Sequence, residues 1–269
     1  NVPTATISGT TSVCPGSSAS FTIAFTGQSP FKFNYAINGQ QQPQLTSLGN
    51  TFNIVTNNVQ HDQTFTITTI EDANCTGTFS GQANVLTIPQ PTGSLAGATT
   101  ICTGDTTTLT LTMSGGSAYD VTISGGASPI ILSGIQSGAT VTVFPSNTTT
   151  YTITNLVASG NICQPVIGTS AIVTTDQVTA TSTLSSYNGF NISCPNGTDG
   201  SIPLNPQTHS VPLAVNWSDG NSGLTRSNLP AGTYEVTMTN QIGCTLTQSF
   251  TLQEPPELGI AFDVTAPVC

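Results

Sequence analysis

Seven cysteines are the groups in this chain with the most evident chemistry, and their spacing is regular. Cys14 and Cys75 lie 61 residues apart, as do Cys102 and Cys163, while Cys194 and Cys244 lie 50 apart and Cys269 is left over. One pair falls in each of three consecutive blocks. This favours three disulfides, Cys14 with Cys75, Cys102 with Cys163 and Cys194 with Cys244, made in an oxidising compartment. The other reading is reduced, buried cysteines acting as small apolar side chains. Each bond would close a loop of fifty to sixty residues, worth roughly 4 kcal/mol of chain entropy at most. A zinc site does not fit, because no Cys-x-x-Cys occurs and His61 and His209 are far apart.

The remaining reactive groups are sparse. Glu71-Asp72 is an adjacent carboxylate pair that reads more simply as a polar turn between strands. A Ser-His-Asp set would have to use His61 or His209, and neither stands near a Gly-x-Ser-x-Gly elbow. No catalytic residue is assigned and no enzyme is expected. Asp199 in NGTDG and Asp219 in WSDG sit in Gly-rich loops and are the calcium candidates. No Asp-x-Asp-x-Asp-Gly run accompanies them, and Asx turns account for both, so no cofactor is assigned. Trp217, the single Trp, could form a sugar-binding platform. Its alternation with Leu213 and Val215 instead puts it on a core face, and Tyr187 and Phe190 belong to a linker.

Composition narrows the function further. Lys32 and Arg226 are the only cations, against 12 Asp and Glu, for a formal net charge of −10. Charged residues are 5% of the chain, where an average domain has about 25%. Without clustered Lys and Arg, nucleic-acid binding and attraction to anionic membranes are excluded. No apolar run reaches the roughly 20 residues of a membrane helix.

The elements that must carry these residues are strands. The 49 Thr and 28 Ser, with many Gly, Asn and β-branched residues, disfavour helix. Apolar residues alternate at period two: Phe21, Ile23 and Phe25; Phe31, Phe33, Tyr35 and Ile37; Leu109, Leu111 and Met113; Tyr234, Val236 and Met238. Residues 7–27 (ISGTTSVCPGSSASFTIAFTG) also match residues 95–115 (LAGATTICTGDTTTLTLTMSG) at an offset of 88. The chain therefore reads as all-β, a tandem of antiparallel sandwiches with one disulfide each, forming an elongated rod. The boundaries are 1–89, 90–177 as its repeat, 178–258 as a third module, and 259–269 as the start of a further one, the fragment being cut from a longer polypeptide.

Residues 194–256 carry a recognisable pattern: CPNGTDGSIPL, PLAVNWSDG, LPAGTYEVTMTNQIGCT, then TLQEPPEL. It resembles the SprB repeat of giant gliding-motility adhesins of Bacteroidota type. Cys194, Asp199, Gly200, Ile202, Trp217, Ser218, Gly220, Leu229, Gly232, Tyr234, Gly243 and Cys244 occupy matching places, and Asn240 stands where Asp is usual. The first two blocks resemble the Ig-like or PKD-like modules found beside such repeats. The resemblance implies an extracellular, cell-surface protein exported by the type IX system and displayed as a filament. In the same bacterial group, Asp105-Thr106-Thr107 resembles an O-glycosylation acceptor, with Thr106 as the candidate. The expected function is a structural stalk segment of an adhesin, acting in gliding motility and surface attachment. Its partners would be neighbouring repeats and extracellular polysaccharide or surface. The alternative is a carbohydrate-binding module of a secreted protein.

Overall fold

The computed structural model describes residues 2–259, and every regular element within them is a strand. None of the described residues forms a helix long and apolar enough to cross a membrane. The chain divides into two compact units: Asn1–Ala96, Thr110–Val141 and Tyr151–Ala171 in one, Gly97–Leu109, Thr142–Thr150 and Ile172–Cys269 in the other. The first repeat block lies in the first unit, the third block lies in the second, and the second block contributes strands to both. Residues 260–269, with Cys269 and the expected further repeat, lie outside the described residues.

The first block contains β1 (Thr4–Ile7), β2 (Gly9–Val13), β3 (Ala19–Thr26), β4 (Phe31–Ile37), β5 (Gln40–Gln41), β6 (Leu45–Ser47), β7 (Thr51–Thr56), β8 (Gln63–Glu71), β9 (Thr78–Ser80) and β10 (Gln82–Thr87). One sheet runs β7-β3-β1-β9. The other runs β2-β10-β8-β4-β5, with β6 also on β4. The first strand is split between the sheets as β1 and β2, and so is the last as β9 and β10. Their pairings, β1 with β9 and β2 with β10, are parallel, whereas the rest are antiparallel. Strands that enter at one pole of a sandwich and leave at the other must run the same way, so this is the geometry of a module that hands the chain on.

The alternation lands where period two requires. In β3, Ala19, Phe21, Ile23 and Phe25 are buried and the residues between them are exposed. They meet Phe31, Phe33 and Phe65 across the sandwich, with Phe25 stacked on Phe31 at 5.0 Å between centroids. One departure occurs in β8. Asn34 pairs with Thr69 and Tyr35 with Ile67, so Thr68 is the extra residue of a bulge, and the buried positions of β8 pass from Phe65 and Ile67 to Ile70. In β4 Tyr35 and Ile37, half-buried, pack against the same core as Phe31 and Phe33.

The second block contains β11 (Thr92–Ala96), β12 (Thr99–Cys102), β13 (Thr107–Ser114), β14 (Tyr119–Ser124), β15 (Ile130–Ile135), β16 (Thr140–Val143), β17 (Thr149–Ala158), β18 (Val166–Ile167) and β19 (Ala171–Asp176). Its pairings reproduce those of the first block at the sequence offset. Thr4 opposite Thr26 becomes Thr92 opposite Ser114, Thr4 opposite Thr78 becomes Thr92 opposite Val166, and Thr11 opposite Val85 becomes Thr99 opposite Val173. Even the surface hydroxyl pair recurs, Thr4 to Thr26 at 2.6 Å and Thr92 to Ser114 at 2.7 Å. Such cross-strand hydroxyl pairs stand where a more charged protein would place ion pairs.

The third block contains β20 (Thr179–Ser182), β21 (Gly200–Gln207), β22 (Ala214–Trp217), β23 (Thr225–Leu229), β24 (Gly232–Thr239) and β25 (Thr245–Leu252). Its sheets are β20-β21-β23 and β22-β24-β25. Near the start of β24 the Tyr234 hydroxyl donates to the Pro230 carbonyl at 2.9 Å, the corner that pins this strand in immunoglobulin sandwiches. The architecture is all-β and tandem Ig-like. The expectation of one disulfide per block fails, because Cys14 is bonded to Cys163 and Cys102 to Cys244.

Candidate functional site: the cysteine junctions

Among the described residues two disulfides join Cys14 to Cys163 and Cys102 to Cys244, each with Cα atoms 5.4 Å apart. Cys75 and Cys194, expected in bonds with Cys14 and Cys244, are free and exposed. Every observed bond thus links one repeat block to the next. The reason lies in where a sandwich puts its ends. Cys14 follows β2 at the pole where β10 finishes, and the Ile88 amide donates to the Val13 carbonyl there at 2.9 Å. Cys75 follows β8 at the other pole. β8 has nine residues, so the poles are about 26 Å apart at ~3.3 Å per step, beyond disulfide reach. Cys244 and Cys194 are likewise at opposite ends of the eight-residue β25.

Each junction is assembled from two half-sites. The front half is a tight turn that ends the second strand of a block. In Cys14-Pro15-Gly16-Ser17 the Cys14 carbonyl accepts from the Ser17 amide at 3.0 Å. In Cys102-Thr103-Gly104-Asp105 the Cys102 carbonyl accepts from Asp105 at 3.0 Å. Gly16 and Gly104 have φ of 85° and 95°, which glycine tolerates without a Cβ clash. The back half is the loop after β17 or β24, where an Asn side chain holds the cysteine amide. Asn161 Oδ1 accepts from the Cys163 amide at 2.9 Å, and Asn240 Oδ1 accepts from Cys244 at 2.9 Å. Each bonded back sulfur lies 3.7 Å from a carbonyl oxygen at the end of the preceding block, Ile88 for Cys163 and Asp176 for Cys244. Ile88 and Asp176 are 88 residues apart, as are Cys14 and Cys102. The two junctions are one structure built twice.

The second junction also buries a charge. Asp176 is 2% exposed. Its carboxylate accepts from the amides of Gln177 at 2.8 Å, His209 at 3.2 Å and Ser210 at 2.9 Å, from the Thr208 hydroxyl and from Asn240 Nδ2. Burial pushes its pKa up, but the hydrogen bonds from Ser210, His209, Gln177 and Thr208 outweigh that and hold it well below the usual carboxylate range. Asn240 thereby ties Asp176 to Cys244. Its role is hydrogen bonding, which an amide fills at a site where the repeat resemblance leads one to expect Asp.

The other residues singled out from the sequence are dispersed. Asp219 forms a two-pronged pair with Arg226, Nη1 lying 2.9 Å from Oδ1, and Arg226 lies 5.2 Å above the Trp217 ring. Asp199 Oδ1 accepts from the Ser193 amide at 3.1 Å. Among the described residues no three His, Cys, Asp or Glu side chains gather as a metal site. Trp217 is buried, as its alternation implies, and donates Nε1–H to the Gly223 carbonyl at 2.9 Å. Tyr187 and Phe190 face each other across a tight turn through Asn188 and Gly189. Asp72 serves a turn, accepting from the amides of Asn74, Cys75 and Gln28, and Glu71 lies 3.8 Å from Lys32. His61 is exposed, and so is the His209 side chain, with Nδ1 3.5 Å from Asp176. Thr106 is exposed between β12 and β13.

No protein-family model matches the chain, and no curated protein matches it. Solved structures similar to it include the I-band fragment I67–I69 from titin, at 13% identity and a TM-score of 0.48 over 95% of this chain and 97% of that one. Others are a marsupial T cell receptor, at 12% and 0.38 over 93% and 99%, and the ICAM-5 D1–D4 ectodomain fragment, at 10% and 0.38 over 91% and 75%.

Proposed function

We propose that this chain is a structural stalk segment of a large cell-surface adhesin or filament, serving gliding motility and surface attachment. The observation that carries the reading is the pair of disulfides joining successive repeat blocks in one register. A bond from block to block keeps neighbouring modules together even when one of them opens, which suits a spacer under tension. The bonds require an oxidising compartment, in keeping with export to the cell surface. The SprB-like pattern of residues 194–256 supports the adhesin and type IX assignment, and the exposed Thr106 is the proposed glycosylation point. The modules would hold a distal binding region away from the cell, with neighbouring repeats as partners.

Small-angle scattering combined with a glycan array tests this reading on the same folded preparation. The expected outcome is an extended particle that retains no glycan. A compact particle with saturable glycan binding would overturn it in favour of a carbohydrate-binding module. That alternative lacks the use of Trp217, which is part of the core.

A further inference from the structure

Two half-sites of the junction have no counterpart within the described residues. Cys194 lies in Cys194-Pro195-Asn196-Gly197, where its carbonyl accepts from the Gly197 amide at 3.0 Å and Asn196 has φ of 58°. This is the turn that carries Cys14 and Cys102. The end of the last strand stands beside it as in the earlier blocks: the Gln253 carbonyl accepts from Asn191 at 2.8 Å, and Glu254 accepts from the Asn196 amide at 2.7 Å. Cys194 is therefore a complete front half. Cys75 has the features of a back half. It follows β8, and its amide is held by Asp72 Oδ1 at 2.9 Å, the distance at which Asn161 and Asn240 hold Cys163 and Cys244. Cys163 stands 88 residues beyond Cys75 and is bonded.

We infer that Cys75 and Cys194 are the open back and front halves of the same inter-module bond, and that the partner of each is the complementary cysteine of another module of this repeat type. Front joins back at both observed junctions, and front never joins front. The rule gives the linkage a direction: two copies of this chain join through Cys194 of one and Cys75 of the other, head to tail. Such a contact is heterologous and leaves one open half at each end, so it propagates into a linear series. In each link two thiols lose two protons and two electrons and form one S–S bond. A small-molecule disulfide such as oxidised glutathione accepts the electrons and leaves as two thiols. The inference rests on the junction geometry and does not depend on the adhesin reading.

The test uses the full chain carrying Cys269→Ser, which keeps a further cysteine out of the reaction. Cys75→Ser and Cys194→Ser are added to this background separately, and each protein is incubated in a glutathione redox buffer, alone and as an equimolar mixture. The expected result is a covalent heterodimer in the mixture and monomer in each variant alone. Peptide mapping of the parent is expected to show Cys75–Cys194 links. Dimers in either single variant comparable with the mixture, parent links of Cys75–Cys75 or Cys194–Cys194 type, or thiols that stay free in the mixture would each overturn the inference. Intact Cys14–Cys163 and Cys102–Cys244 bonds in the same maps show that the variants are folded.

Discussion

Replacing Cys14 or Cys102 with Ser, separately and together, should change how far the chain stretches in a manner that depends on the bonds being interlaced. From Cys14 to Cys244 there are 230 residue steps. With both bonds intact the shortest covalent path crosses from Cys14 to Cys163, runs back along the chain to Cys102, and crosses to Cys244. Only the 61 steps between Cys163 and Cys102 carry tension, so 169 are hidden. Cys102→Ser leaves the Cys14–Cys163 bond, which hides 149 steps, and Cys14→Ser leaves the other, which hides 142. Losing one bond therefore releases only 20 or 27 steps, and losing both releases all 169. At an extended length of ~3.5 Å per residue these are about 70 Å, about 95 Å and about 590 Å.

Optical tweezers with handles at the two ends read the contour length after complete unfolding. The expected series is two small increments for the single variants and one large increment for the double variant or the reduced protein. Blocks closed one by one would behave differently, because Cys14→Ser would then release the 61 steps between Cys14 and Cys75, roughly 210 Å. A single-variant increment of that size, or increments that add up to the double-variant value, would refute the interlaced linkage.

Two further outcomes follow from the buried side chains. Asp176→Asn turns an amide NH₂ toward backbone donors and is expected to cost about 2–4 kcal/mol in urea unfolding. Because the folded pKa of Asp176 is depressed, the stability it contributes is fully present above the unfolded carboxyl value of about 3.9 and is lost as pH falls below it. The gap between parent and variant should accordingly stay level from about pH 8 to 5 and narrow under stronger acid, and a gap that widens on acidification would refute the assignment. Trp217→Ala is expected to cost about 3–5 kcal/mol by the same assay. Trp217→Phe is expected to cost about 1–2 kcal/mol, since it keeps much of the packing but leaves the Gly223 carbonyl without its indole donor and weakens the Arg226 contact. A change within error for Trp217→Ala would place the ring outside the cooperative core.

Much of the local structure was legible in the residues themselves. Phe21, Ile23 and Phe25 declared a strand with one buried face, and Leu109, Leu111 and Met113 declared its copy. Trp217 followed the face of Val215 into the core. Phe31, Phe33, Tyr35 and Ile37 keep one face, as their alternation implies, whereas nothing in QTFTITTIE marks the bulge at Thr68 that puts Ile70 on the buried side with Ile67. The roles of Asp72 and Asp199 as turn caps follow from their residue type. The burial of Asp176 does not, since its donors Thr208, Ser210 and Asn240 come from distant parts of the chain.

The cysteines divide the two kinds of knowledge most clearly. Periodicity alone established that equivalent cysteines recur at 88 residues, that the chain is a series of similar β modules, and that a front and a back cysteine belong to each of them. It could not choose partners, because pairing within a block and pairing with the next block have the same period. Only the folded sandwich decides, by placing the two cysteines of one block at opposite poles and bringing the front half of each junction to the back half of the one that follows.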